Sequence, residues 1–274
     1  MSLPNNVSPI VKVYYGKPIL PEVSRVLACL YEKEFKQVAF EYVDSTPIDL
    51  IRLQASTSVP APFFEDGSKF LFGKTSESKF NTGSESRAIC RYVSETYANR
   101  GNRYLLGHDL LDRVSIEQWL KSEEQSFDPP SRALVLQLAF PLSTKSSNDL
   151  REESERLAKV LDVYNHRLGE SQYLAGDEFT LADLTHLPNS QYIATSYEWG
   201  HLFDERENLK RWWEEVSIRP SWSQAVEEIE RSKEEGYQEE TTEEEETNYY
   251  EITRTPSKML LKASTFLPIE ESVQ

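Results

Sequence analysis

The sequence contains little cysteine and offers no set of residues suited to hold a metal ion. Only two cysteines, Cys29 and Cys90, occur among its 274 residues. Both lie inside apolar patterns with helical spacing, and neither has supporting partner residues for a disulfide or a metal site. The pattern therefore predicts two buried, reduced thiols and no metal.

Basic charge and long apolar runs are also scarce. Lysine and arginine number 30 against 46 acidic residues, so the net charge is −16. A surface that attracts phosphate needs clustered basic residues, so we expect neither a nucleic-acid partner nor a membrane partner. No apolar run approaches the roughly 18 residues of a membrane span, and the first ten residues do not resemble a signal peptide. The sequence thus predicts a cytoplasmic protein.

Acidic charge is concentrated at the end of the chain. Between Glu227 and Glu246 there are 11 glutamates and only two basic residues. Like charges at this density repel one another and have few apolar partners. We therefore predict that residues 232–274 form an acidic, disordered tail.

Residues 9–98 alternate strand and helix patterns. The order is a strand ending near Gly16, a helix over 21–34 that begins at Pro21, a strand near residue 40, a hairpin with an Asp-Gly turn, and a helix from Glu85. In that last helix, Ala88, Ile89, Tyr92 and Val93 are predicted to share the buried face. This order predicts a small α/β sheet domain with helices packed on it.

Residues 109–231 carry helical patterns only. One long amphipathic helix has Asn148 as a possible N-cap and Gly169 as its C-terminal stop. A further helix opens with Thr180 and Asp183 at capping-box spacing, which predicts a structural role for Asp183. Another pair of helices is predicted to break near Pro220. These patterns predict an all-α second domain.

Three segments together resemble one family, the plant phi-class glutathione transferases. They read "KVYYG…RVLACLYEK", "VPAPFFEDGSKFLF…ESRAICRYV" and "YLAGDEFTLADLTHLPNSQYI", and the resemblance covers about Val11 to Ala225. It implies a thioredoxin-like N-terminal domain that binds glutathione and an all-α C-terminal domain that shapes the acceptor pocket. It also implies a homodimer and a detoxifying transferase that joins the glutathione thiolate to small hydrophobic electrophiles.

The resemblance assigns part of a glutathione site. Glu85 and Ser86 match the acidic-Ser pair that holds the γ-glutamyl end, although Ser84 and Ser86 could instead simply cap a helix. Val59 precedes the expected cis-proline and would pair through its backbone with the peptide. Ser58 stands next to it, where the family usually has glutamine.

Two other family features are missing. The position of the family's catalytic serine falls on Leu20, which cannot donate a hydrogen bond to a thiolate. Tyr14 and Tyr15, at the end of the first predicted strand, are alternative sulfur donors or simply packing residues. The loop before Ser58 lacks the family's His-Lys pair, and Arg52 is its only cation.

An insertion of 12 residues, 73–84, has no counterpart in the family and has the composition of a surface loop. It could act as a lid, contact a partner or do neither.

Three functions remain open on these observations. The first is a glutathione transferase with weakened or rerouted sulfur activation, with glutathione as co-substrate or ligand. The second is a non-catalytic binder or carrier of hydrophobic plant metabolites on the same fold. The third is an interaction protein that uses the insertion and the acidic tail.

Overall fold

The computed structural model describes residues 11–15, 19–42, 63–67, 69–71, 84–139 and 146–232. Contacts within the chain define one compact unit that ends at Ile229, and a second that begins at Glu230. Of the second unit only residues 230–232 are described, and they are helical. Residues 73–83 of the predicted insertion lie outside the described residues. The acidic tail after residue 232 also lies outside them, so its disorder stays a prediction.

The described strands form one sheet in the order β2-β1-β3-β4. The strands are β1 (Val11–Tyr15), β2 (Val38–Tyr42), β3 (Phe63–Asp66) and β4 (Lys69–Leu71). β1 runs parallel to β2 and antiparallel to β3, and β3 pairs antiparallel with β4. Gly67 joins β3 to β4 with φ at 61°, which confirms the predicted Asp-Gly turn.

Helices make up most of the remaining described residues. They are α1 (Pro21–Glu32), α2 (Ser84–Thr96), α3 (Leu110–Ser122), a π-helical turn (Glu123–Phe127), α4 (Asp128–Ala139), α5 (Ser147–Leu168), α6 (Leu181–Leu184), α7 (Leu187–Ala194), α8 (His201–Asp204) and α9 (Glu207–Ser217). A further helix, α10 (220–232), begins at Pro220, so the predicted break is confirmed. None of the described helices is long and apolar enough to cross a membrane.

The sheet packs beneath α1 and α2. Alternate residues of β1 are fully buried or nearly so, and α1 packs on both β1 and α2. The two cysteines lie at the α1–α2 contact and are fully buried, as predicted. The Cys29 thiol donates to the Cys90 carbonyl, and the Cys90 thiol to the Arg25 carbonyl, both at 3.6 Å. Burial raises the pKa of the Cys29 thiol well above its usual value.

Two local predictions need correction. The long helix α5 is capped by Ser146 rather than Asn148, because Ser146 and Asp149 form a reciprocal capping box. In α2 the predicted face is wrong at Ala88, which is exposed. The neighbouring Arg87 turns inward and is only 3% exposed, since it has an ionic partner inside the protein.

The capping box predicted for Thr180 and Asp183 is confirmed at the start of α6. The Thr180 hydroxyl accepts from the Ala182 amide at 3.2 Å, and the Thr180 amide donates to Asp183 at 3.1 Å. Asp183 also accepts from the Leu174 amide and the Trp212 indole, which ties three segments together. Burial raises the pKa of Asp183 to about 6.

Candidate functional site

The family resemblance assigned the sulfur end of the site to Leu20, which stands at the start of α1. Leu20 is the N-cap residue, with extended backbone angles and no side-chain cap. Pro21 follows at the first helical position, where its fixed φ suits the helix and its missing N–H is not needed. The Leu20 side chain is 7% exposed. Leu20 therefore has a hydrocarbon side chain at the position where the family resemblance predicts a serine hydroxyl.

Ser24 carries the nearest hydroxyl on the same helix, and this hydroxyl already donates a hydrogen bond within the protein. Its Oγ donates to the carbonyl of Pro21 at 2.6 Å, and the residue is 8% exposed. A serine hydroxyl carries one proton, so this bond closes the first turn and leaves no second proton to donate.

The two candidate tyrosines point to opposite sides of the sheet, as neighbours on a strand must. The Tyr14 hydroxyl donates to Glu65 at 2.6 Å, and burial together with this carboxylate raises the pKa of Tyr14. Tyr15 is buried and stacks on Phe40, with ring centroids 4.0 Å apart. Either tyrosine as the sulfur-activating residue stays a prediction.

The start of α2 lies directly beside α1. Ser86 is 1% exposed, and its hydroxyl accepts from the Arg25 guanidinium at 2.7 Å. Glu85 lies in the same first turn, and its side chain lies outside the described part of the structure. Ser58 and Val59 also lie outside the described residues. The roles of these four residues in binding glutathione therefore stay predictions.

A buried ionic network joins the two helix starts. Arg25 donates to Glu123 at 3.2 Å and to the Thr185 carbonyl at 3.1 Å. Arg87 donates to the same carboxylate through two nitrogens, one of them at 2.8 Å. Glu123 is fully buried, and burial raises its pKa while the two guanidiniums act in the opposite direction. One carboxylate thus fixes α1 and α2 against the π-helical turn.

The network continues into α4 and α7. Arg87 lies 3.6 Å from Asp128, which accepts from the Asn189 amide at 3.1 Å. The same amide group donates to Ser131 at 2.9 Å. Sequence reasoning missed this network, although an arginine inside the apolar run "EVSRVLACL" signals a buried partner.

A second ion pair lies at the start of α1 itself. Glu22, in the first turn, is 6% exposed and accepts from the guanidinium of Arg132 on α4. Its other oxygen, Oε2, is buried and has no partner in the described part of the chain. No local pattern predicted this pair, because its members are 110 positions apart in the chain.

His186 is fixed by hydrogen bonds at both of its ring nitrogens. Its Nδ1 lies 2.6 Å from the Ala182 carbonyl and its Nε2 lies 3.0 Å from the Tyr164 hydroxyl. Burial among aromatic rings lowers the pKa of His186 to about 3, so the ring is neutral. Nδ1 then carries the proton, and the ring is already bonded at both nitrogens. Within the described residues, no cluster of acidic, histidine or cysteine side chains could hold a metal ion.

This architecture is shared with known proteins. Residues 127–220 match the family model "Glutathione S-transferase, C-terminal domain". Glutathione S-transferase F11 of Arabidopsis thaliana is 37% identical over 80% of this chain and 98% of its own length. A glutathione S-transferase of Hyoscyamus muticus is 37% identical over 78% of this chain and 96% of its own length.

The crystal structure of glutathione transferase F2 from Populus trichocarpa is also similar. Its sequence is 44% identical to this one, and the two structures match over 81% of this chain and 99% of the poplar chain with a TM-score of 0.69. The chain therefore belongs to the plant phi class of the glutathione transferase family. The predicted fold class, a thioredoxin-like N-terminal sheet followed by an all-α domain, is confirmed.

Proposed function

We propose that this protein binds glutathione beside the starts of α1 and α2 and transfers it, with weakened or rerouted sulfur activation, to small hydrophobic electrophiles. The observation that carries this proposal is the 2.7 Å bond from Arg25 to Ser86, which holds the two helix starts side by side. Family membership supports the reaction class. In this proposal residues 9–98 form the glutathione-binding domain, and residues 109–231 form the acceptor domain.

The γ-glutamyl end of glutathione would lie at the start of α2. The first backbone N–H groups of a helix have no partner within the helix and favour a bound anion. They can hold the γ-glutamyl carboxylate, while Glu85 accepts from the ammonium group. The backbone of Val59 and the hydroxyl of Ser58 would hold the cysteinyl part.

The sulfur end is the weak part of the proposed site. A free thiol has a pKa near 8.5, so most of it is protonated at neutral pH. Transferases of this class lower that pKa with a hydroxyl donor, and Leu20 has none. We therefore expect conjugation to be slow unless another group donates to the sulfur.

A non-catalytic carrier is the second candidate, and the same region favours it. Leu20 has no hydroxyl, and the hydroxyl protons of Ser24 and Tyr14 are held by Pro21 and Glu65. A site that binds glutathione without ionising it would suit storage or transport of hydrophobic metabolites. The role of the 73–84 insertion and the acidic tail as partner surfaces stays a prediction.

We also propose that the protein is a cytoplasmic homodimer. α3 exposes apolar side chains one turn apart, with Leu110 78% exposed and Val114 47% exposed. They line a groove of about 420 Å³ that also includes Arg113, Glu117, Gln118 and Lys121. Exposed apolar side chains grouped in this way are typical of contact surfaces. Light scattering of Val114→Glu against the unchanged protein tests the proposal, and an unchanged dimer mass would contradict this surface.

Two measurements on the full chain test the function itself. Calorimetry would measure glutathione binding, and absorbance would follow conjugation to an aromatic electrophile. Binding with slow turnover is the expected result. Binding with no turnover would favour the carrier, and no binding at millimolar glutathione would overturn both.

A further inference from the structure

The ion pairs around the first half of α1 differ in how accessible their cations are. Arg25 and Arg87 are 1% and 3% exposed, and both bind the buried carboxylate of Glu123. Arg132 of α4 pairs with the first turn of α1, yet its side chain is 26% exposed. Of these guanidiniums, Arg132 is therefore the one that a ligand from solvent can reach.

The pair with Glu22 fixes the Arg132 guanidinium and occupies only part of it. Nη1 of Arg132 donates to Glu22 Oε1. A guanidinium carries five N–H groups, so others remain that can donate to a bound anion. The Glu22 side chain is only 7% exposed, so the cation rather than the carboxylate faces solvent. A guanidinium held in this way suits the planar oxygens of a carboxylate.

The face of α4 around Arg132 is apolar. Pro129 lies three residues before it and Leu136 four residues after it, so both share its side of the helix. Pro129 is exposed and Leu136 is half-buried. An accessible cation between apolar side chains fits a ligand that is apolar and carries one negative group.

Arg132 also stands where the two proposed binding domains meet. Glu22 lies two residues after Leu20, in the turn beside which the glutathione sulfur is proposed to bind. Arg132 belongs to the helical domain that would hold the acceptor, and its bond to Glu22 fixes it to that same turn. An acceptor that reacts with the sulfur must lie against this turn, so its polar substituent can meet Arg132.

We propose that Arg132 binds a carboxylate on the acceptor, so that the preferred acceptors are hydrophobic electrophiles that carry a carboxylate. Glu22 is the positioning residue that orients the guanidinium. This inference rests on the proposed function, because it takes the start of α1 as the place where the glutathione sulfur meets the acceptor.

In the transfer step the carboxylate binds and does not react. With an aryl chloride as acceptor, the glutathione sulfur forms a bond to the ring carbon that carries chlorine. Chloride leaves with the electron pair of the carbon–chlorine bond, and the thiol proton passes to solvent. Arg132 holds the carboxylate equally before and during this step, so it should lower KM and leave kcat nearly unchanged.

Two ligands that differ in one group test this contact without turnover. A dinitrobenzoate and the corresponding dinitrobenzamide share the ring, have no leaving group and differ in charge. Calorimetry on the full chain, with and without glutathione, should show about tenfold tighter binding of the benzoate. A protein with a net charge of −16 repels anions in general, so this preference requires a local cation.

Substitutions assign the preference to one side chain. Arg132→Gln should remove it, and Arg132→Lys, which keeps the charge without the planar fork, should retain part of it. Arg151→Gln, on the exposed surface of α5, is the matched control and should leave it unchanged.

Conjugation gives a second measurement, with a chlorodinitrobenzoate and its amide as acceptors. Arg132→Gln should raise KM about tenfold for the carboxylate alone, whereas a purely structural role would change both acceptors alike. Equal binding of the two ligands to the unchanged protein, or a preference that persists in Arg132→Gln, would overturn the inference. A carboxylate preference without any glutathione binding would overturn the proposed function instead.

Discussion

Two helix starts lie side by side in this protein, and they differ in what they present. α2 begins with a polar turn, and its Ser86 is fixed by Arg25 at 2.7 Å. α1 begins with Leu20, Pro21 and the buried carboxylate of Glu22. In the proposed site, the first would bind the γ-glutamyl end of glutathione, and the second would lie at its sulfur without a hydroxyl donor at Leu20. If the proposed site is right, glutathione binding and sulfur activation depend on two separate, neighbouring helix starts.

The largest expected effect comes from removing the carboxylate that joins the two helix starts. Glu123→Ala leaves two buried guanidiniums without their shared partner, so the free energy of unfolding should fall by about 3–5 kcal/mol. Chemical denaturation measures this fall. Glu155→Ala, which breaks an exposed pair with Arg151 on α5, should cause no measurable change. Equal stability of the two variants would mean that the network does not hold the helix starts together.

Ser86→Ala tests the start of α2 alone. Arg25 would lose a charge-assisted hydrogen bond in a fully buried place, so stability should fall by about 1.5–3 kcal/mol. In the proposed site, glutathione affinity should also fall. Denaturation and calorimetry measure the two effects separately. An unchanged affinity would remove Ser86 from the proposed site and leave it a structural role.

Leu20→Ser tests the start of α1 by restoring a hydroxyl at its N-cap. One added hydrogen bond to the sulfur, of about 1 kcal/mol, should raise conjugation roughly fivefold at neutral pH. The initial rate with an aromatic electrophile measures the change. If glutathione binds and the rate does not rise, the sulfur does not lie at this cap.

The smallest effect is expected from Ser24→Ala, on the same helix. Its hydroxyl only closes the first turn, so we expect a loss of at most about 1 kcal/mol in stability and no change in conjugation. The same rate assay and denaturation series measure both. A marked loss of turnover would identify Ser24 as the rerouted sulfur donor and reverse the contrast between the two helix starts.

Local sequence patterns predicted much of the fold, but they could not predict contacts between residues that are far apart in the chain. The Asp-Gly hairpin, Pro21 at the start of α1 and the capping box of Thr180 follow from residues close together in the chain. The cap of α5 was placed two residues late because serine and asparagine are both favourable there.

The candidate site was predicted only where the family resemblance reached. Resemblance pointed to Leu20 and Ser86, but the partners of Glu22 and Arg25 come from helices about a hundred positions further along the chain. Spacing within one helix carries no information about such partners. The family pattern also gave no signal for them, because it described the residues that bind glutathione rather than those that surround them.

The buried cysteines of α1 and α2 offer a direct view of how firmly the two helices are joined. Neither thiol is accessible, and burial raises the pKa of Cys29, so a thiol reagent can react only when the contact opens. The labelling rate of Cys29 and Cys90 therefore reports how often the contact between α1 and α2 opens, and no further probe has to be introduced. Bound glutathione should slow that labelling if it bridges the two helices.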